Sequence, residues 1–200
     1  MRASLLAAAL LLSSPATSHA DPSPERPPPR ERSAFERPFG LGPYATAWSG
    51  DYRAAGVGGR IRLEPWRRLG VDLFGEALQV QVPRGQRHDV PVGFHLYTPI
   101  PVTDDLRLRP FLGMCLALSS IRPEDPDAPR ADDVLGGAHL GLGLDLALND
   151  RLSLFAEAKA VAWIGHDRSV QRWTGAVHNE IQTFTLGQAQ LGILLHLGDR

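Results

Sequence analysis

Residues 138–148 read Ala-His-Leu-Gly-Leu-Gly-Leu-Asp-Leu-Ala-Leu, with leucine at every second position from Leu140 to Leu148. A period of two places all those leucines on one face of an extended strand and His139, Gly141, Gly143, Asp145 and Ala147 on the other. A helix would scatter the same leucines around its circumference and expose the glycines. No other feature restricts the possible folds as strongly.

The alternation recurs from about residue 41 onward. Leu106, Leu108, Pro110, Leu112, Met114, Leu116 and Leu118 stand against Arg107, Arg109, Phe111, Gly113, Cys115 and Ala117. Leu152, Leu154, Ala156, Ala158, Ala160 and Ala162 stand against Ser153, Phe155, Glu157, Lys159, Val161 and Trp163. Residues 55–64, 89–98 and 183–197 repeat the pattern, and 41–49 carry a weaker copy with Tyr44 and Trp48 on one face. In residues 69–82 the parity changes, from Leu69, Val71 and Leu73 to Leu78, Val80 and Val82. Either a bulge near Gly75 to Ala77 reconciles the halves, or the far end rises above the surrounding medium.

Short connections at Pro65–Arg68, Ile100–Asp104 and Asn149–Asp150 alternate with longer or more polar ones at Ser49–Arg53, Pro83–His88, Ser119–Val134 and Gly165–Gln182. Short turns on one side and longer loops on the other belong to a transmembrane barrel. The expected fold is all-β, an eight-stranded antiparallel up-and-down transmembrane β-barrel over residues 40–200. An even strand number puts both termini on the short-turn side.

The N-terminus reads as a processing signal. Met1-Arg2 is positive, Leu5 to Leu12 is apolar but too short to span a bilayer, and Ser18-His19-Ala20 offers a cleavage site after Ala20. Residues 21–39 form a proline-rich leader in which neither a helix nor a central strand is expected. Secretion through a cleaved signal peptide follows, with the bacterial outer membrane as destination.

The two faces decide which way the barrel points. The apolar faces are long, uniform and leucine-rich, which suits lipid. The opposite faces carry both charge signs: Arg60, Arg62, Arg107, Arg109 and Lys159 against Glu64, Asp72, Glu76, Asp145 and Glu157. Inside a barrel such charges must pair, because an unpaired buried charge costs several kcal/mol. Hairpin arithmetic places Arg62 near Asp72, Arg107 near Asp145 and Lys159 near Glu157. The alternative is a soluble lipocalin-like barrel whose charged face meets water. Trp48, Trp66 and Trp163 lie near strand ends, where indoles favour the headgroup region.

On this architecture residues 40–198 resemble the small OmpA/OmpX/OmpW-like outer-membrane barrels. Many members of these families end on an aromatic residue; this chain ends Leu195-His196-Leu197-Gly198-Asp199-Arg200.

Chemistry is sparse. The resemblance brings in lipid A-modifying enzymes, whose deacylases carry a His-x-Ser pair, and no such pair is present. His166-Asp167-Arg168-Ser169 is the nearest arrangement and reads as polar loop. His95, His139 and His196 face the interior, His139 towards the outer end and the other two towards the periplasm, so one three-ligand metal site is not expected. Glu124, Asp125, Asp127, Asp132 and Asp133 lack EF-hand spacing. Gly56 to Gly58 lies in a strand and is no phosphate loop. Trp173, in the 165–182 loop, is placed to touch lipopolysaccharide, a partner or the rim. The lone Cys115 reads as packing and excludes an intrachain disulfide. Net charge is -1, with no basic field for nucleic acid.

The functional expectation is a monomeric, non-enzymatic outer-membrane barrel with a structural or surface-interaction role. It needs no cofactor and has outer-membrane lipid and lipopolysaccharide as partners. The alternatives are a narrow channel for small or apolar solutes, with room supplied by Gly56, Gly58, Gly141 and Gly143, and a soluble periplasmic binding barrel.

Overall fold

The computed structural model describes residues 34–81, 85–123, 131–165 and 182–198. The signal segment, most of the leader, the 124–130 and 166–181 stretches with His166, Ser169 and Trp173, and the last two residues lie outside that description.

Eight long strands close on themselves: β1 (Phe39–Gly50), β2 (Arg53–Trp66), β3 (Leu69–Gln81), β4 (Gly85–Tyr97), β6 (Leu106–Pro123), β7 (Ala131–Ala147), β8 (Leu152–Gly165) and β9 (Gln182–Leu197). A two-residue strand, β5 (Ile100–Pro101), pairs with β6 in the connection that follows β4. Every neighbouring pair is antiparallel, and β1 pairs with β9, so no long edge is left open. Closure satisfies the backbone between strands, the condition for burying a sheet in lipid.

The register fixes the shape. From Gly40 the paired residues run through Arg62, Asp72, His95, Gly113, His139, Val161 and Leu186, and return to β1 at Gly50, ten positions beyond Gly40. That stagger over eight strands tilts them by about 40° to the barrel axis, and a barrel of this size has an interior that side chains fill.

The faces are inverted relative to a soluble protein. Leu112, Met114, Leu116 and Leu118 on β6, Leu140 to Leu146 on β7, and Leu191 and Ile193 on β9 all point outward and are exposed, while Asp72, His95, Arg109, Asp145 and Ser153 are fully buried. On β7 the outward apolar residues run from Val134 to Leu146. At about 3.3 Å per residue along a tilted strand, that run is about 30 Å tall, the height of a membrane belt.

Four expectations change. The ladder between β3 and β4 runs without a shift from Gly75–Val92 to Leu78–Asp89, so there is no bulge near Gly75 to Ala77. The alternation simply continues: Leu78 and Val80 turn inward and are buried, while Gln79 and Gln81 turn outward. The register shift lies instead between Leu63 and Trp66, at the β2–β3 turn. The connection expected at Ser49–Arg53 shrinks to Asp51-Tyr52, made possible by Gly50 at φ 142°. That left-handed value suits glycine alone. The polar connections Pro83–His88 and Ser119–Val134 are partly strand, because β4 begins at Gly85, β6 reaches Pro123 and β7 begins at Ala131. Finally, the leader's end is not a solvated tail: Ala34–Glu36 form a 3-10 turn with Ala34 and Phe35 buried.

The packing gives a paired test. A Cβ at Gly58 would collide with the Tyr44 ring, whereas one at outward-facing Gly59 meets nothing within 4 Å. Gly58→Ala is therefore expected to destabilise the barrel by about 1–3 kcal/mol through overpacking, and Gly59→Ala to be neutral, as read by urea unfolding in micelles.

Candidate functional site: a closed, charge-balanced lumen

Inward-facing residues follow one another along the axis as three zones. Nearest the mouth where β1 begins and β9 ends, Arg107 donates to Glu64 at 3.1 and 3.2 Å, and Tyr97 Oη donates to Glu64 at 2.9 Å. The 3-10 turn enters this mouth as a strap. Arg107 lies over the Phe35 ring at 4.0 Å and donates to the Phe35 carbonyl at 2.8 Å. Arg37 ties the strap down, donating to the Asp150 and Gly198 carbonyls at 2.8 and 3.0 Å. Phe35 meets His196 edge-on, and Ser153 Oγ and His196 Nε2 are 2.8 Å apart.

The second zone is the ionic centre. Arg62 binds Asp72 with two N–H groups, at 2.9 and 3.0 Å, and reaches Asp145 at 2.8 Å. Arg60 grips Glu157 through both terminal nitrogens and touches Asp72 at 3.2 Å. Arg109 contacts Asp145 at 2.6 Å, Glu157 at 2.8 Å and Asp72 at 3.3 Å. His95 completes the set on Asp72 at 3.1 Å. These groups come from β2, β3, β4, β6, β7 and β8, so the cluster spans the lumen and crosslinks most of the wall. Aromatic faces insulate it. Arg60 sits between Tyr44 and Phe155, and Tyr97 sits between Arg62 and Arg109, at 4.3 to 5.3 Å from guanidinium to ring. Desolvated cations gain most from such rings.

Above it, Glu76 accepts from Tyr44 Oη, Trp48 Nε1, Gln188 Nε2 and Gln190 Nε2 at 2.6 to 3.2 Å, with Lys159 Nζ at 4.0 Å. The third zone, towards the far mouth, is apolar: Trp48 stacks on Trp163 at 5.8 Å among Ala54, Leu78, Val80, Ala117, Leu135 and Leu186. Cys115 packs here as a small buried residue.

All ten charges expected in the lumen thus face it, but two pair differently from the hairpin arithmetic. Arg107 is opposite Asp145 in register yet turns to Glu64, because Arg62 and Arg109 already occupy Asp145. Lys159 reaches across to Glu76 and lies over the Phe74 ring at 4.3 Å, since Glu157 is held by arginines. Among the interface tryptophans, Trp66 is 62% exposed at its turn, whereas Trp48 and Trp163 are 4% and 1% exposed and form the inner stack. Strand parity, not nearness to a strand end, sets the side on which an indole falls.

The spaces over Gly58, Gly141 and Gly143 are filled by Tyr44, by Phe111 and Lys159, and by Arg109 and Glu157, while a Cβ at Gly56 would strike the Ala77 carbonyl. Side chains from neighbouring strands occupy the space that these glycines leave.

Asp72, His95 and Glu157 hold potential ligand atoms within 4.8 Å of one another. Arg60, Arg62 and Arg109 already saturate these carboxylates, so a dication would have to displace cations that balance them. Sequence reasoning missed Arg87 and Asp89, a buried bidentate pair at 2.9 Å near the far mouth, under the Tyr52 ring. The same-face spacing of two residues was the available signal. It also missed the Ser153–His196 contact, whose members lie 43 positions apart. Ser153 is fully buried beneath the strap, so the pair offers no substrate a nucleophile.

No family model and no curated protein matches the chain. Among solved structures, Neisserial surface protein A matches with a TM-score of 0.57 at 11% identity, over 80% of this chain and 97% of that one. A major outer membrane protein from Thermus thermophilus matches with a TM-score of 0.52 at 14% identity, over 78% and 99%. The chain has the fold of the small outer-membrane β-barrels.

Breaking the ionic balance should cost more than removing it. Arg60→Met is expected to lose about 3–5 kcal/mol by stranding a buried carboxylate, and Arg60→Met with Glu157→Met to recover at least half of it. Urea titrations of the refolded barrel in lipid check the difference.

Proposed function

We propose that this chain is a non-conducting outer-membrane β-barrel with a structural and surface-interaction role. The observation that supports the reading best is the combination of an outward apolar belt with a lumen crossed by side chains at three successive levels. A belt of leucine, valine and alanine around the circumference suits lipid. A passage for solutes would need a continuous wet path, and the Arg-carboxylate centre, the Glu76 cluster and the Trp48–Trp163 stack each cross the lumen.

Orientation follows from the topology. Both ends of the barrel lie at one mouth, and a chain delivered by a leader peptide keeps that mouth in the periplasm. The opposite mouth then faces the outside and carries the connections 51–52, 82–84, 124–130 and 166–181. With the interior filled, whatever the barrel contacts, it contacts through those connections and the outer collar of its strands. No catalytic constellation is assigned.

Two measurements test this reading. Refolded residues 21–200 should run at a different mobility unboiled and boiled on a gel, and should give no steady ion conductance in planar bilayers. Sustained single-channel steps from the wild-type protein would contradict the closed lumen and favour the narrow channel. A soluble monomer in plain buffer without a mobility shift would favour the periplasmic binding barrel.

A further inference from the structure

The outward face changes character abruptly at the far end of four consecutive strands. On β2, β3, β4 and β6 the last outward apolar positions are Ala55, Ala77, Val90 and Leu118. Beyond them lie Arg53, Gln79 and Gln81, His88 and Gln86, and, past half-buried Ser120, Arg122; the six are exposed. The register makes them one patch: Arg53 pairs with Gln81, Gln79 with His88, and Gln86 with Arg122.

The patch differs in kind from the lumen. No outward position on these four strands carries a carboxylate, because Glu64, Asp72, Glu76 and Asp89 all turn inward. Two exposed acids border the patch: Asp51 in the β1–β2 turn, which accepts from the Thr185 N–H at 3.3 Å, and Asp132 on β7, which pairs with Ser120. Inside the barrel every arginine is matched by a carboxylate; Arg53 and Arg122 form no ion pair among the described residues. Amide and guanidinium donors thus stand in an arc at the level where acyl chains end. A surface like this complements phosphate and sugar hydroxyl groups borne on a lipid.

We propose that the collar of Arg53, Gln79, Gln81, Gln86, His88 and Arg122 binds the phosphorylated headgroup of an outer-leaflet glycolipid. The arginines meet the phosphates and the glutamine amides the sugar hydroxyls, while the acyl chains lie on Val57, Ala77, Val90 and Leu118. The inference rests on the outer-membrane reading and its orientation. It goes further by assigning the residues and the class of lipid.

The test uses residues 21–200 in phosphatidylcholine nanodiscs, with insertion established first from the heat-dependent gel shift. Discs are doped with bisphosphorylated lipid A, monophosphorylated lipid A or phosphatidylglycerol, and retained lipid is counted by native mass spectrometry. Retention should be strongest for bisphosphorylated lipid A. It should fall about thirtyfold in the double variant R53Q/R122Q, as expected for two arginines near an anionic surface, and weaken with added salt. R151Q, at a turn on the opposite mouth, should leave it unchanged. Equal retention by wild type and R53Q/R122Q would overturn the collar, and equal retention of phosphatidylglycerol would overturn the glycolipid assignment; in both cases the barrel reading stands. Failure of the wild-type protein to insert would overturn the barrel reading itself.

Discussion

The interaction on which the structure depends is the electroneutral packing of arginine against carboxylate inside the barrel. Once the apolar face of each strand is turned to lipid, the polar face has only the lumen, and every charge there must be matched. Six cations, Arg60, Arg62, Arg87, Arg107, Arg109 and Lys159, meet six carboxylates, Glu64, Asp72, Glu76, Asp89, Asp145 and Glu157. Arginine suits the task better than lysine, because its planar fork holds two carboxylates at once and stacks on a ring. Arg62 does all of this, binding Asp72 and Asp145 while lying over Tyr97. The bonds cross the lumen from wall to wall, so the same contacts that neutralise the interior also brace the barrel.

Neutrality leaves little for the two mouths to do except keep water out. At one, the strap from Ala34 to Pro38 lowers Phe35 under Arg107 and fastens itself through Arg37 to the β7–β8 turn and the end of β9. At the other, Trp48 and Trp163 stack within an aliphatic ring. The ionic centre lies between Phe35 at one end and the Trp48–Trp163 stack at the other. This arrangement strengthens each ion pair by lowering the local dielectric and makes any broken pair costly.

Much of this was legible in the alternation. A period of two tells which residues share a face, and the ten lumen charges follow from parity alone. Partner choice did not follow. Arg107 and Asp145 are register partners, but a guanidinium spans several ångströms and selects among carboxylates on other strands, a three-dimensional competition that hairpin arithmetic cannot resolve. The tryptophans show the converse error. Trp48 and Trp163 were placed by their nearness to strand ends, while their parity already put them with Tyr44 and Phe155, facing inward. Leu78 and Val80 suggested a bulge because apolar residues were assumed to face outward along the whole strand; beyond the lipid edge the rule reverses, and apolar residues plug the lumen. The strap could not be seen at all, since Phe35 and Arg37 find their partners more than seventy positions away.

The central claim is the inversion itself, lipid outside and charge inside, and spin labels along β7 test it most directly. Single cysteines at the outward positions 138, 140, 142, 144 and 146, in a Cys115→Ser background and in lipid bilayers, would be probed with oxygen and with a water-soluble nickel relaxant. Labels at Leu140, Leu142, Leu144 and Leu146 are expected to be open to oxygen and closed to nickel. Labels at these positions shielded from both would contradict the inversion and place the apolar faces inside a water-soluble barrel.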